Sequence, residues 1–446
     1  MKETSEINKK LSKELSGKAL LSYILLALPL AFIGLPIYIN IPNYYAENFN
    51  LSLTTIGIIL LFTRISDTII DPIFGWLSDI FSQYQPLIIV VATFFLAFAA
   101  FGLFNPFFSD YQTNLLVFSF LTYWSFSFLT INHSAYLANF NNQINISSWR
   151  ELMTIIGLLL ATIIPALLML KMSSREAFYY LSWLLFFTFV VMAIYFYYYN
   201  RCDSCNKAKS QEISLNLWFA ENRGNLFGKI KTEILVKISK IRNRTWYNYA
   251  GFLFFNGCAI ATPSTLLVFY INDFLRFKDF TGLFLLLYFG CAIAFMPIWQ
   301  KLALRISSIN LMSIGIIGAI ATFSWAVLLP ETKLYNQDIA TNYFGFYGFA
   351  VICAFSGIFF GLDLLLPPVI TANLIAQNQQ ESSKILIFSL SHFLGKISLA
   401  IVSGILLIIL GKLNYSQFAT VMPYLYGFLP SIFKVFGLFF LLKLKK

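Results

Sequence analysis

The chain has 446 residues, of which 58% are hydrophobic and only 11% are charged, and its mean hydropathy is +0.73. Soluble domains carry about 25% charged residues, so this composition excludes an ordinary soluble protein. The formal net charge of +11 does not indicate nucleic-acid binding, because basic and aromatic residues are not interleaved in the hydrophilic segments.

Apolar runs long enough to cross a bilayer, about 20 residues each, recur along the whole chain. Backbone groups find no water in hydrocarbon, so each run is predicted to be a helix. The runs are too uniformly apolar for the alternating strands of a membrane barrel. The sequence therefore predicts an all-α membrane protein with 12 transmembrane helices, near residues 20–44, 53–77, 86–108, 113–139, 150–171, 177–199, 246–271, 280–304, 309–329, 344–370, 382–410 and 421–443.

The second run carries charges where its neighbours are apolar, in "LLFTRISDTIIDPIFGWLSD". On a helix, Arg64, Asp67 and Asp71 share one stripe. Each would cost about 2.5–3.5 kcal/mol at the centre of a membrane helix, so the stripe should face protein, water or ions. Two carboxylates four residues apart can ligate a hard cation or share a proton. The pattern predicts a cation-coupling site; the alternative is an internal salt bridge in which Arg64 locks the helix.

Other polar residues inside apolar runs are weaker candidates. His133 in "INHSAY" is interpreted as a satisfied buried imidazole or as a proton relay. His392 lies four residues before Lys396, so both share a helix face, and either could titrate near neutrality. Asp363 in "FFGLDLLLPP" is either functional or close to water at a helix end. With two histidines and no metal-spaced or phosphate-binding motif, we expect no enzyme activity, no cofactor and no metal beyond a coupling sodium ion at Asp67 and Asp71.

The only long hydrophilic segment divides the twelve runs into six and six. It holds ten of the 31 basic residues, from Arg201 to Arg244. We predict a six-helix bundle in residues 1–199, a basic linker in 200–245 and a second six-helix bundle in 246–446, which is the plan of the major facilitator superfamily. Within the linker, "LFGKIKTEILVKISKI" is interpreted as a helix on the inner membrane surface or as a solvated charged segment.

Basic residues also precede the first run and follow the last. An even number of spans puts both termini and the linker on one side of the membrane, and the positive-inside rule makes that side cytoplasmic. We therefore expect a multi-pass protein of the bacterial inner membrane.

The second run resembles a family motif. "RISDTIIDPIFGWLSD" is similar to the second-helix motif of the glycoside–pentoside–hexuronide:cation symporters, the melibiose-carrier family of the major facilitator superfamily. Arg64, Asp67, Asp71, Pro72 and Gly75 match that pattern position for position. Further segments resemble the same family almost end to end: "LSYILLALPL", "YYAENFNLS", "SSWRELMTIIG", "NRTWYNYAGFLF" and "FLGKISLAIVSGILLIILG".

The resemblance implies roles for several residues. Asp67 and Asp71 would be the cation ligands, with Arg64 as a charge partner. Lys396 stands in place of the family's intramembrane lysine and would couple the two halves. Arg150 would face the substrate cavity. Further cavity candidates are Thr130, His133, Asn373, Gln377 and His392.

Departures from the family pattern affect the substrate. The sugar-binding carboxylates of the family would fall at Ala31 and near Thr130, and neither is acidic. The acidic pair expected in the tenth run appears as Asn373 and Gln377, and Ile70 replaces an amide that sodium users often carry. A plain melibiose carrier is therefore not expected.

The expected function is cation-coupled secondary active transport, by alternating access, of a small polar solute such as a sugar, a glycoside or a related organic compound. The expected partners are this solute, the coupling cation and the lipid bilayer, with the protein acting as a monomer. One alternative is a proton-coupled carrier of a non-sugar solute, such as a nucleoside, an organic acid or a lipid-like molecule. The other is a membrane receptor that keeps the fold without transport.

Overall fold

The computed structural model describes residues 17–200, 226–241, 243–277, 280–329, 339–412 and 420–445. Within these ranges the chain forms helices and turns and no strands. Among the described residues, twelve helices are long and apolar enough to cross a membrane, which confirms the predicted all-α membrane protein with 12 transmembrane helices. The basic residues before the first helix and linker residues 201–225 lie outside the described ranges.

The first six spanning helices are α1 (Gly17–Leu35), α2 (Leu53–Ile80), α3 (Gln85–Phe104), α4 (Tyr111–Tyr136), α5 (Gln143–Met169) and α6 (Ser174–Asn200). A π-helical turn, Pro36–Asn40, joins α1 to a short helix, Ile41–Phe49. The predicted linker helix exists as Leu226–Ile241, while its location on the membrane surface stays a prediction.

The second six are α7 (Arg244–Phe269), α8 (Thr281–Ala303), α9 (Ser308–Trp325), α10 (Ile339–Gln377), α11 (Lys384–Lys412) and α12 (Leu429–Leu442). π-Helical turns extend α7 through Tyr270–Phe274 and precede α12 at Tyr424–Phe428.

The contacts divide the chain into two compact units. Unit 1 comprises Met1–Lys240 and Thr371–Leu390, and unit 2 comprises Ile241–Ile370 and Ser391–Lys446. The end of α10 and the start of α11 therefore pack with unit 1. The three-part division predicted above followed sequence order rather than contacts, and it stays a prediction.

Side-chain caps explain where several helices begin. Ser52 accepts a hydrogen bond from the Thr55 backbone N–H at the start of α2, and Asn243 accepts one from the Trp246 N–H at the start of α7. Asp110 accepts bonds from the Gln112 and Thr113 N–H groups at the start of α4. Such caps satisfy donors that have no partner inside the helix.

Aromatic residues with satisfied hydroxyls fill the core of each unit. In unit 1, Tyr44 donates to the Phe104 carbonyl over 2.7 Å, and the Phe104 and Phe178 rings stack at 5.1 Å. In unit 2, Tyr270 stacks on Tyr426 at 4.2 Å and donates to the Ala326 carbonyl. These contacts hold the helices that carry the polar sites described below.

Candidate functional site

Helix α2 packs against α4 within unit 1, and the two helices run in the same direction. Three contacts define their register: Phe62 with Phe120, Phe74 with Phe128, and Ser78 with Asn132. The residue numbers rise together along both helices. The charged stripe of α2 is therefore level with the middle turns of α4.

The two carboxylates of the stripe are buried inside the spanning helix. Asp67 is 3% exposed and Asp71 is fully buried. The Ser127 hydroxyl of α4 donates a hydrogen bond to Asp71 Oδ1. A serine hydroxyl that holds a buried carboxylate stabilises its charged form, since an isolated buried charge is very costly. Ser127 was not predictable from sequence, because one sequence does not indicate which helix packs against α2.

Arg64 lies at the exposed edge of the same stripe. Its Nε donates to the Tyr123 hydroxyl over 3.4 Å, a long hydrogen bond. Tyr123 is buried and interacts electrostatically with both Arg64 and Asp67. We call Arg64, Asp67, Asp71, Tyr123 and Ser127 the α2–α4 polar cluster.

Two further hydroxyls of α4 lie on buried positions one or two turns from Ser127. Ser119 Oγ and Thr122 Oγ1 have no hydrogen-bond partner within the described ranges. With the aspartate oxygens they supply acceptors of the kind that sodium prefers, and the paired carboxylates also suit a shared proton. The arrangement is therefore compatible with either ion. No group of three or more His, Cys, Asp or Glu side chains among the described residues is placed to hold a metal ion.

Asp79, the last charged residue of α2, makes contacts outside the α2–α4 polar cluster. Asp79 accepts backbone hydrogen bonds from Ile385 and Leu386, at 2.9 and 3.1 Å, in the first turn of α11. Lys237 of the linker helix lies 3.7 Å from the same carboxylate. A carboxylate at a helix N-terminus satisfies its free N–H groups and the positive end of its dipole. Asp79 thus joins α2 to the start of α11.

Arg150 and His133 are brought together in a second cluster of unit 1. Arg150 Nε donates to Glu151 Oε1 over 2.9 Å, and its second nitrogen donates to the Tyr23 hydroxyl over 3.1 Å. The His133 ring lies 4.4 Å from the Tyr23 ring, and its Nε2 is 2.9 Å from the Tyr23 carbonyl. All four side chains are buried. His133 is therefore buried with a hydrogen-bond partner at Nε2. Its role and the cavity role of Arg150 stay predictions.

Ala31 and Thr130 stand where the family is expected to carry its sugar-binding carboxylates, and both make local contacts instead. Ala31 of α1 lies beside Gly157 of α5, where a Cβ built on the glycine would be 3.1 Å from the alanine methyl. Thr130 donates its hydroxyl to the Phe126 carbonyl of its own helix. Neither residue contributes a carboxylate to a sugar.

The remaining predicted residues lie on α10 and α11. Asn373 and Gln377 are exposed at the end of α10, in the part that packs with unit 1. His392 and Lys396 are partly buried on α11, in the part that belongs to unit 2. Their assigned roles stay predictions.

Asp363 lies in the interior of α10 rather than at a helix end. Its carboxylate contacts Lys434 Nζ at 2.7 Å. Lys434 was not among the residues predicted from sequence, although a lysine inside the last apolar run, "SIFKVFGLFF", is the same kind of signal as Asp67. Glu151, the neighbour and partner of Arg150, was not predicted either.

Comparison with protein families decides the assignment. A sequence model of the family described as MFS/sugar transport protein matches residues 21–445. The chain belongs to the MFS/sugar transport protein family. This is the melibiose-like family that the α2 motif indicated, and the resemblance is confirmed. No curated protein matches the chain.

Solved structures of transporters share this fold. The crystal structure of the MFS transporter FucP in the outward conformation matches with a TM-score of 0.63 and 12% identity, over 97% of this chain and 99% of that one. A bacterial homologue of the iron transporter ferroportin in an outward-facing state matches with a TM-score of 0.68 and 14% identity, over 97% and 99%. A variant of the E. coli fucose:proton symporter matches with a TM-score of 0.63 and 13% identity, over 96% and 98%.

At these identities the likeness shows the fold alone. The predicted major-facilitator-type fold is confirmed, and this member of the MFS/sugar transport protein family is a multi-pass membrane protein. Its family and fold are those of transporters, which are not enzymes.

Proposed function

We propose that this protein is a cation-coupled symporter of a small polar solute, working by alternating access, with the coupling ion at Asp67 and Asp71. The observation that carries the proposal is the burial of both carboxylates inside a membrane-spanning helix, with the Ser127 hydroxyl on one of them. Intramembrane carboxylates that face protein commonly mark ion or proton pathways.

Coupling follows if the ion and the solute favour the same conformation. Each ligand must then change the affinity of the other by the same factor. A cation that neutralises Asp67 and Asp71 removes the cost of keeping two like charges buried close together. Binding of the ion would thereby shift the population toward the state that binds solute well.

The solute is proposed to be a sugar, a glycoside or a related organic compound, as the family description suggests. A second candidate, a proton-coupled carrier of a non-sugar solute, is favoured by the packing of Ala31 on Gly157 and by the internal hydrogen bond of Thr130. Neither position offers the carboxylates that would satisfy sugar hydroxyls. A solute with fewer hydroxyls, or with its own negative charge, fits this arrangement better.

The test is an uptake panel in proteoliposomes that contain the purified protein. Sodium and proton gradients are imposed separately, and the panel includes monosaccharides, galactosides, nucleosides and organic acids. We expect gradient-driven accumulation of at least one class and no appreciable uptake of melibiose. Binding of a solute without any uptake would instead support the receptor alternative. Saturable uptake of an unmodified galactoside would contradict the inference drawn from Ala31 and Thr130.

A further inference from the structure

Unit 2 contains a buried ion pair of its own, built from three helices. Lys434 Nζ of α12 lies 2.7 Å from both oxygens of Asp363 on α10 and 2.9 Å from Asn256 Oδ1 on α7. The ammonium group has three donors, and these three oxygens accept from all of them. We call Asn256, Asp363 and Lys434 the unit 2 charge cluster.

The cluster lies inside the spans rather than at their ends. Its three residues fall within the candidate membrane spans Arg244–Phe274, Tyr343–Gln377 and Thr420–Leu442. Lys434, which is closest to a span end, is eight residues from Leu442 (442 − 434), or about 12 Å of helix. Burial of both charges at this depth requires each to have a partner.

Stability alone does not explain such a pair. Replacing a buried ion pair by packed apolar residues is often neutral or stabilising, whereas removing one partner is strongly destabilising. An ion pair that contributes little to folding yet lies in a membrane interior is by default a functional feature. The neighbouring sequence supports this interpretation. Pro367 and Pro368 supply no N–H, so the carbonyls of Asp363 and Leu364 lose their usual helical donors.

The carboxylate is the accessible end of the pair. The side chain of Asp363 is 10% exposed, against 2% for Lys434. Among the described residues, the titratable groups recorded as interacting with Asp363 are Lys434 from α12 and Tyr288 from α8. Tyr249 of α7 lies one turn further along, where its hydroxyl donates to the Pro367 carbonyl. Asp363 is therefore the more accessible of the two charged groups.

We propose that the unit 2 charge cluster is a second coupling site, which binds a proton on Asp363 during the transport cycle. The proton adds to one carboxylate oxygen, no other bond forms or breaks, and Lys434 keeps its own proton. The net charge of the pair changes from zero to +1. The buried ammonium then retains only neutral acceptors, which favours a conformation in which α10 bends near Pro367 and Pro368 and water reaches the pair. This inference rests on the proposed transport function but not on which ion binds at Asp67 and Asp71.

The test uses variants that remove charge while keeping the hydrogen-bonding groups. Asp363→Asn and Lys434→Gln alone leave a buried charge without its partner and are expected to reduce abundance. The double variant Asp363→Asn/Lys434→Gln removes both charges and is expected to be produced at wild-type abundance. Ser431→Ala is the matched control, because Ser431 is a buried polar residue one turn earlier on α12 whose hydroxyl donates to the Gly427 carbonyl.

Two measurements are made on the full-length protein at matched abundance. Acid-induced infrared difference spectra of purified protein, without solute, report the carbonyl stretch of a protonated carboxylic acid. We expect wild type and Ser431→Ala to show a band that the double variant lacks. In proteoliposomes, with the solute that wild type accumulates in the uptake panel, the double variant should lose proton-driven accumulation and keep solute exchange.

The outcomes separate the two proposals. A double variant with an unchanged infrared band, or with full proton-driven accumulation, would overturn the second coupling site and leave a structural ion pair. Absence of any uptake by wild type would contradict the proposed function, while the infrared comparison would still decide whether Asp363 binds a proton.

Discussion

Asp71 is the residue on which the proposed coupling depends most. It is fully buried, accepts from the Ser127 hydroxyl and precedes Pro72, which cannot donate to the Thr68 carbonyl. That carbonyl is therefore left without its usual helical donor. Loss of the charge at Asp71 should therefore be more damaging than loss at Asp67.

We predict that Asp71→Asn abolishes gradient-driven accumulation while solute exchange survives. Asparagine keeps most of the shape but removes the charge that attracts the ion. Without coupling free energy the accumulation ratio should fall to about 1. The measurement is steady-state uptake in proteoliposomes at matched protein density. Thr68→Ala is the control, since the Thr68 hydroxyl donates to the Arg64 carbonyl of its own helix. Full accumulation by Asp71→Asn would leave the salt-bridge interpretation of α2 standing.

A substitution at Arg64 distinguishes the two interpretations of the charged stripe. In one, the stripe binds the coupling cation; in the other, Arg64 locks the helix through an internal salt bridge. Arg64 is exposed, and the hydrogen bond to Tyr123 is long at 3.4 Å. Interactions of an exposed charged side chain contribute little to stability, so we predict that Arg64→Gln keeps wild-type abundance. Removal of a positive charge one turn from Asp67 should tighten binding of the coupling cation by about 1 kcal/mol, or about fivefold.

The measurement for Arg64→Gln is the ion concentration that gives half-maximal uptake, together with abundance in the membrane. Arg305→Gln, which removes a charge in unit 2 outside any proposed site, is the control. Reduced abundance with an unchanged ion dependence would support the locking role.

At the scale of helices, Gly75 allows α2 to approach the first turns of α11. A Cβ at Gly75 would overlap the Ser389 side chain and lie 2.9 Å from the Leu386 Cα. The same two segments are joined by Asp79 and the Ile385 and Leu386 N–H groups. Close packing and the capped helix start therefore depend on each other.

We predict that Gly75→Ala destabilises the protein by about 1–3 kcal/mol, because the backbone of α11 cannot move aside without losing its cap. Gly57→Ala is the matched control on the same helix. No described atom lies within 4 Å of the Cβ it would add, so it should be neutral or stabilising by up to about 1 kcal/mol. The measurement is thermal unfolding of the purified variants. Equal stability of the two variants would contradict the packing argument.

Helix existence was predictable from sequence, whereas helix ends and helix partners were not. An apolar run of about 20 residues is a sufficient signal for a span. The tenth run was predicted as 344–370, yet α10 covers Ile339–Gln377, because a helix continues beyond its apolar part. Asp363 and Lys434 pair across 71 positions, and one chain carries no signal for such a pairing. The α2 motif indicated Arg64, Asp67 and Asp71 as candidates, but it did not indicate Ser127.

For the whole molecule, the distribution of basic residues predicts the orientation in the membrane. Ten basic residues lie between Arg201 and Arg244, whereas the loops on the opposite side hold only Lys171, Arg175, Arg276, Lys278, Lys333 and Lys412. Short loops rich in lysine and arginine stay in the cytoplasm. With twelve spans, both termini then lie on the same side as the linker.

We predict that Cys202 and Cys205 of the linker react with a membrane-impermeant maleimide in inverted vesicles but not in intact cells. A cysteine placed at Lys171 serves as the control. Lys171, between α5 and α6, is exposed on the side predicted to face outward. In a variant with Cys202→Ser and Cys205→Ser, Lys171→Cys should react in intact cells. The cysteines inside helices are shielded, since Cys258 and Cys353 are buried and Cys291 is partly buried. Labelling of the wild-type linker in intact cells would reverse the orientation and move both termini outside.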